Sequence, residues 1–250
     1  MKLLIFQNYP CEDAALAGAA FEEYGMDIEV IDCYHSKRPP DAEGDALLVL
    51  GGPMNVYEEG KYAFLKWETE WIRDWAEDGR PMLGLCLGAQ LLSKAAGGKV
   101  TQNPAREIGH FEVCLTKAGL EDPLFMGIRN PIPVVQWHQD TFSIPPGGIL
   151  LATSETCKNQ AFRIYRAIGL QFHLEINREK MAAWIHEYVN DSDKHGIDTT
   201  GILDDFAGKE IIYDNVCRTM IRNFIRYEVT SSTKSTPPFA ASIPMSGFMD

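Results

Sequence analysis

One cysteine lies between two glycines where an apolar strand pattern gives way to a helical one. The segment reads Pro81-Met-Leu-Gly-Leu-Cys-Leu-Gly-Ala-Gln-Leu-Leu92, with Cys86 two residues from each glycine. Glycines so placed allow the sharp strand-to-helix turn of a nucleophile elbow. The helix N-terminus beside the sulfur would favour a thiolate, and the N–H of Leu87 would point at an oxyanion on an attacked carbonyl. The alternative is a buried structural cysteine between tightly packed glycines.

A thiol nucleophile needs a base, and His173 is the candidate. It ends the run 167–173, which predicts a buried strand, and ligand-facing residues of an open parallel sheet lie at strand C-termini. Glu175 follows two residues later, so in extended geometry both side chains point the same way. A carboxylate there would hold the imidazole tautomer and stabilise its charged form. The alternatives are a surface pair just past a strand, or part of a metal site.

A second loop, Gly51-Gly-Pro53, follows the apolar run 46–50. Two glycines at a strand C-terminus let backbone N–H groups approach a ligand, so Gly52 is a candidate second oxyanion donor. The loop does not resemble a phosphate loop, because no Gly-Lys-Ser/Thr follows. A tight turn without a ligand is the alternative.

The elements that must position these residues follow a repeating strand–helix order in the first hundred residues. Apolar runs predict strands at 3–6, 28–31, 46–50 and 82–85, and helical spacing predicts helices at 17–24, 64–75 and 87–96. Short strands follow at 111–115, 132–136, 149–153, 161–165 and 167–173, then helices at 178–189 and 210–227. We expect an α/β fold, with a mostly parallel open sheet covered by helices on both faces and antiparallel strands added in the second half. Residues 1–228 would form one domain and residues 229–250 a C-terminal tail.

Composition narrows the possible functions. The 250 residues carry a net charge of −12, which disfavours a nucleic-acid partner and a polybasic contact with a membrane. The chain has no apolar run of about 18 residues, as a membrane span would need, and its N-terminal apolar stretch is too short for a signal peptide. The six cysteines form no Cys-x-x-Cys pair. We therefore expect a reduced, cytoplasmic protein.

Together these segments resemble the class I (triad) glutamine amidotransferases, in the order and at the spacing typical of that family. The matching segments are Gly51-Gly-Pro53, Gly84-Leu-Cys-Leu-Gly-Ala-Gln90 and Gln171-Phe-His-Leu-Glu175, with Gln136-Trp-His-Gln-Asp140 at the place of a substrate-side loop. The resemblance covers about residues 1–190 and is greatest to stand-alone proteins similar to the amidotransferase domain of GMP synthase. It implies the flavodoxin-like fold of that family.

The resemblance also implies a mechanism. Cys86 would attack the γ-carbonyl of a γ-glutamyl amide, with His173 as base and then acid, and Glu175 orienting His173. Backbone N–H groups of Gly52 and Leu87 would form the oxyanion hole. Water would then cleave a γ-glutamyl thioester, releasing glutamate and ammonia or an amine. Neither a metal nor a cofactor is expected, because an oxyanion hole makes a Lewis acid unnecessary.

Four further residues are expected to contact the substrate. Gln90 would hold its amino-acid end, and His138, Gln139 and Asp140 would line the same pocket, although these last three could instead be structural turn residues. GMP synthase typically has Ser-His-Gly-Asp in this segment, whereas Trp137 and Gln139 replace the serine and glycine here. Added side chains beside the substrate's α-amino and carboxylate groups put free glutamine in doubt as the substrate.

Three functions follow as hypotheses, all with a small-molecule substrate or ligand. The first is a glutamine amidotransferase that supplies ammonia to a separate synthetase partner. The second is a stand-alone hydrolase of γ-glutamyl peptides or conjugates, favoured by Gln139 and by the lack of a synthetase segment. The third is a non-catalytic relative that binds a ligand or partner, which a complete nucleophile–base–orienter set disfavours.

Overall fold

A nine-stranded sheet organises the part of the chain that the computed structural model describes, residues 1–189 and 197–231. Its strands are β1 (Lys2–Gln7), β2 (Asp27–Asp32), β3 (Ala46–Val49), β4 (Met82–Leu85), β5 (Val100–Leu115), β6 (Ile132–Phe142), β7 (Ile149–Thr153), β8 (Ala161–Ile164) and β9 (Ala167–Leu170). They lie in the order β2-β1-β3-β4-β9-β8-β7-β5-β6. Within this order, the neighbouring strands β2, β1, β3, β4 and β9 pair in parallel. The remaining pairs, β9 with β8, β8 with β7, β7 with β5 and β5 with β6, are antiparallel.

Helices cover both faces of this sheet. They are α1 (Ala15–Glu23), α2 (Phe64–Glu77), α3 (Leu87–Ala95), α4 (Lys117–Glu121), α5 (Arg178–Tyr188), α6 (Thr199–Ala207) and α7 (Glu210–Phe224), with a π-helical turn at Ile225–Val229. Side chains alternate along β1, so that Leu3 and Ile5 join the core under α1 and α7, whereas Leu4 and Phe6 join the core under α2 and α3. None of the described helices combines the length and apolarity needed to cross a bilayer.

The predicted α/β architecture is confirmed, and three details of the prediction were wrong. Strand β9 ends at Leu170, three residues before His173. β5 and β6 are longer than predicted, because they pair antiparallel along most of their length and their exposed polar residues interrupt the apolar pattern. Helices α4 and α6 were not predicted.

The end of the described chain bears on the predicted domain boundary. Val229 closes the π-helical turn and packs against the core, and most of the predicted tail, residues 232–250, lies outside the described residues. The boundary at 228/229 therefore stays a prediction.

Candidate active site

The turn at Cys86 has the strained geometry of an elbow. Cys86 joins β4 to α3 with φ 49° and ψ −103°, a left-handed φ that non-glycine residues rarely adopt. The flanking glycines make the turn possible: a Cβ on Gly84 would lie 2.7 Å from the backbone of Gly88, and one on Gly88 would clash with the backbone of Val49 in β3. The sequence thus forces α3 tightly onto the sheet, with the Cys86 sulfur at the carboxyl edge of the parallel strands.

His173 and Glu175 form a buried pair beside the elbow. Nδ1 of His173 lies 2.7 Å from Oε1 of Glu175, and Oε2 of Glu175 accepts a 2.9 Å hydrogen bond from the Leu174 N–H. His173 is 3% exposed and Glu175 2%. Although β9 has ended, the His173 N–H donates to the Val135 carbonyl of β6 at 2.8 Å, and this bridge keeps the segment extended.

The charge state of His173 suits a partner of a thiolate. Burial lowers the pKa of His173, but the negative charges of Glu175 and Cys86 outweigh burial and raise that pKa well above its ordinary value. Nε2 is buried and makes no hydrogen bond of regular geometry among the described residues, but the Cys86 sulfur is near enough for both its charge and a side-chain hydrogen bond to raise the pKa of His173. Such pairs are often loose until substrate binds.

The two expected oxyanion donors are neighbours. Leu87 is the first residue of α3, so its N–H has no partner within the helix. A Cβ on Gly52 would lie 2.9 Å from Cδ2 of Leu87, and one on Gly51 would lie 3.2 Å from Cε1 of His173. The Gly51–Gly52 loop therefore reaches both the elbow and the imidazole.

Gln90 points toward β6, which contains residues 136–140; the expectation that this segment is a loop or turn was wrong, because it pairs with β5 as a strand. Its Nε2 donates to the Asp140 carbonyl at 3.2 Å and to Oε1 of Gln171 at 3.4 Å, and Gln171 in turn donates to the Cys86 sulfur at 3.7 Å. Sequence reasoning missed Gln171 as a site residue, although it lies two residues from His173. The side-chain amide of Gln139 is bonded to β5, because its Nε2 donates to the Asn103 carbonyl at 3.0 Å.

His138 contacts two oxygens, one of which belongs to Glu107, a residue that the sequence did not indicate. Its Nε2 lies 2.7 Å from Oε2 of Glu107, and its Nδ1 lies 2.9 Å from the Asp140 carbonyl. Burial raises the pKa of Glu107, but hydrogen bonds from His138 and Thr156 bring it below its ordinary value. Both ring nitrogens of His138 therefore have an oxygen partner.

Those residues also belong to a cluster of potential metal ligands. Glu107, His138 and Cys157 place one ligand atom each within 4.8 Å of the others. Protein partners already engage all three, since Glu107 bonds His138 directly and the Cys157 sulfur contacts Oγ1 of Thr141 at 3.2 Å.

A cavity of about 280 Å³ joins these groups. Seven of the predicted site residues line it: Gly52, Cys86, Gln90, His138, Gln139, Asp140 and His173. Glu175 and Leu87 do not line the cavity: Glu175 contacts Nδ1 of His173, and Leu87 follows Cys86 in the chain. The cavity is also lined by Glu12, Arg106, Trp137, Trp184 and Tyr188.

Glu12, which the sequence analysis missed, is a buried acid in this cavity. Oε1 of Glu12 accepts a 2.7 Å hydrogen bond from the Tyr188 hydroxyl. Burial raises the pKa of Glu12 to about 7, against the opposing charge of His173. Its place in the segment that follows β1, which ends at Gln7 at the carboxyl edge of the parallel strands, is the signal that would have pointed to it.

Comparisons with known proteins identify relatives of this chain. Residues 16–188 match the family model described as Glutamine amidotransferase class-I. YfeJ of Salmonella typhimurium, described as glutamine amidotransferase-like, is 36% identical over 152 residues, or 59% of this chain and 64% of YfeJ. A glutamine-hydrolysing GMP synthase from Porphyromonas gingivalis is 33% identical over 181 residues, or 70% of this chain and 33% of the synthase. The aligned part thus spans less than two thirds of either relative.

A solved structure extends the likeness to the whole architecture. A glutamine amidotransferase from Thermotoga maritima superposes with a TM-score of 0.81 and 30% identity, over 90% of this chain and 98% of that one.

Proposed function

The chain belongs to the class I glutamine amidotransferase family, and from this premise we propose that it hydrolyses a γ-glutamyl amide through a Cys86 thioester. The observation that carries the proposal is one cavity lined by a strained elbow cysteine and by a buried histidine whose second nitrogen is bonded to Glu175. A nucleophile, a base and an orienter in this arrangement are what acyl transfer to sulfur requires.

In this mechanism the Cys86 thiolate attacks the γ-carbonyl and the His173 imidazolium protonates the departing nitrogen. The N–H groups of Leu87 and Gly52 stabilise the oxyanion of the tetrahedral intermediate. Glu175 keeps the proton of Nδ1 in place, so that Nε2 alternates between donor and acceptor. Neutral His173 then takes a proton from water, which attacks the thioester and releases glutamate and free Cys86.

The zwitterionic end of a γ-glutamyl group fits the opposite charges in the cavity. Oδ2 of Asp140 is buried without a hydrogen-bond partner among the described residues, and it would accept from an α-ammonium group. Arg106 lines the same cavity and would pair with the α-carboxylate. Gln90 would support Asp140 through its bond to the Asp140 carbonyl.

Release of glutamate by the purified chain tests the proposal. Wild type, Cys86→Ala and Cys114→Ala would each be given glutamine and a panel of γ-glutamyl peptides. Cys114 is an exposed cysteine on β5 and serves as the matched control. Glutamate release that is lost in Cys86→Ala and kept in Cys114→Ala supports the proposal. Full activity of Cys86→Ala would overturn it.

A second candidate function is that of a glutaminase subunit that passes ammonia to a separate synthetase. The alignment with a glutamine-hydrolysing GMP synthase favours it. It predicts fast cleavage of glutamine and slow cleavage of peptides, whereas a stand-alone γ-glutamyl hydrolase predicts the reverse.

A further inference from the structure

The side of the cavity next to His173 is built from aromatic rings. Trp184 packs edge-on against His173, with ring centroids 4.7 Å apart and planes at 81°. Trp137 lies 6.0 Å from Trp184 and 6.1 Å from Tyr188, so the three rings form one continuous surface, here called the aromatic wall. All three residues line the cavity.

The wall presents mostly ring surface, because the polar atoms of two of its three rings are engaged elsewhere. The Tyr188 hydroxyl donates to Glu12, and Nε1 of Trp184 points at the Cys11 carbonyl at 3.4 Å. Ile108 adds aliphatic surface to the same cavity. A group seated on this wall would therefore gain little from hydrogen bonding and much from burial of apolar area.

The position of the wall relative to the reacting atoms tells which part of a substrate meets it. The carbonyl oxygen of Trp137 is 3.9 Å from the Cys86 sulfur, so the Trp137 backbone lies beside the nucleophile, and Trp137 lines the same cavity. The leaving nitrogen must lie near Nε2 of His173 to receive its proton. A substituent on that nitrogen would extend from His173 onto Trp184, which packs against the imidazole, and on to Trp137, whereas ammonia has no substituent to place there. Trp137 then lies on the leaving-group side, rather than beside the α-amino and carboxylate groups as the sequence indicated.

We propose that the substrate is a γ-glutamyl conjugate of an amine bearing an aromatic substituent. The inference rests on the proposed function. Cys86 forms the bond to the γ-carbon, the C–N bond breaks, and the amine leaves with the proton of His173. Water then hydrolyses the thioester to glutamate and regenerates the thiol. The aromatic wall holds the amine substituent through both the attack and the departure.

Two amides of similar leaving-group chemistry test the proposal: γ-glutamylbenzylamide and γ-glutamylmethylamide, with glutamine as a third substrate. Both amines are primary alkylamines, so a difference between them reports chiefly the benzyl ring. We expect kcat/KM for the benzylamide to exceed that for the methylamide by about ten- to a hundredfold, the range that burial of one ring in an apolar site supplies.

Variants at Trp137 locate the preference. Trp137→Ser removes the ring nearest the sulfur and is expected to reduce the benzyl-to-methyl ratio at least fivefold, mainly through KM for the benzylamide. Trp137→Phe keeps an aromatic face and is expected to retain most of the ratio. Thermal melts of both variants separate a change of preference from a failure to fold, and the wild-type ratio tests the proposal without any variant.

The possible outcomes are distinct. A wild-type ratio near one, with glutamate released from both amides, overturns the aromatic substrate but leaves the proposed function standing. A high ratio that survives in folded Trp137→Ser overturns the assignment to the wall. Failure of wild type to release glutamate from all three substrates overturns the proposed function, and the present inference falls with it.

Discussion

Glu68 is a fully buried carboxyl on α2 that pairs with no cation among the residues the structure describes, and it provides a quantitative test of the fold. Both of its carboxylate oxygens lack a hydrogen-bond partner among the described residues, as does Oδ1 of the neighbouring Asn8. Burial raises the pKa of Glu68 from 4.5 to about 8, with Asn8 opposing the shift. The neutral acid resolves the conflict, because its O–H can donate to Asn8.

The sign of the pH dependence follows from that pKa. Below pH 4.5 the carboxyl is mostly neutral in both the folded and the unfolded chain, so its ionisation does not lower the free energy of unfolding. As the pH rises toward 8 the unfolded chain releases the proton while the folded chain retains it, so the free energy of unfolding falls. At 1.36 kcal/mol for each pKa unit the loss amounts to roughly 5 kcal/mol, of which about 3 to 4 kcal/mol falls between pH 5 and pH 8.

Glu68→Gln should abolish this loss, because the amide cannot ionise and can still donate to Asn8. Urea unfolding of both proteins at pH 5, 6, 7 and 8 measures it. We expect the variant to gain stability relative to wild type steadily as the pH rises. Glu70→Gln, an exposed carboxyl on the same helix, is the matched control and should track wild type. A constant difference between Glu68→Gln and wild type at every pH would refute the reasoning.

Two further predictions concern buried charges. Arg163 is nine-tenths enclosed and pairs with Asp122 at 2.7 Å and Glu228 at 2.9 Å, so Arg163→Met should lower the free energy of unfolding by roughly 3–5 kcal/mol, and a loss below about 1 kcal/mol in urea titrations would contradict this. Glu12 carries its negative charge above pH 7 and then stabilises the imidazolium of His173. Glu12→Gln should therefore reduce kcat/KM more at pH 8 than at pH 6, and an equal reduction at both pH values would argue against the electrostatic role.

The elbow could be predicted from sequence because its requirements are local. Positions 84 and 88 must both be glycine for β4 and α3 to pack around the turn. These two glycines and Cys86 lie within five consecutive residues. The pairing of His173 with Glu175 was likewise visible from a two-residue spacing. The predicted reason was incomplete, since the strand ends early and a bridge to Val135 keeps the segment extended instead.

The missed residues depend on contacts between distant parts of the chain. Glu107 meets His138 because β5 and β6 pair in a register that places these two residues opposite each other, and no local pattern reveals that register. Glu12 meets Tyr188 across 176 residues of sequence. Trp184, within the predicted helix 178–189, is 2% exposed as a core residue would be, yet the same ring also lines the cavity. A helical stripe does not distinguish the two roles.

The bridge between Val135 and His173 couples the position of His173 to the shape of the aromatic wall. β6 holds the backbone of His173 at Val135 and, two residues on, carries Trp137 of the aromatic wall. A substitution that remodels the wall by shifting β6 also displaces the base. Selection for new substrates along this strand would then trade turnover against preference, and successful variants should arise first at Ile108, because Ile108 lies on β5 whereas the backbone bridge to His173 comes from β6.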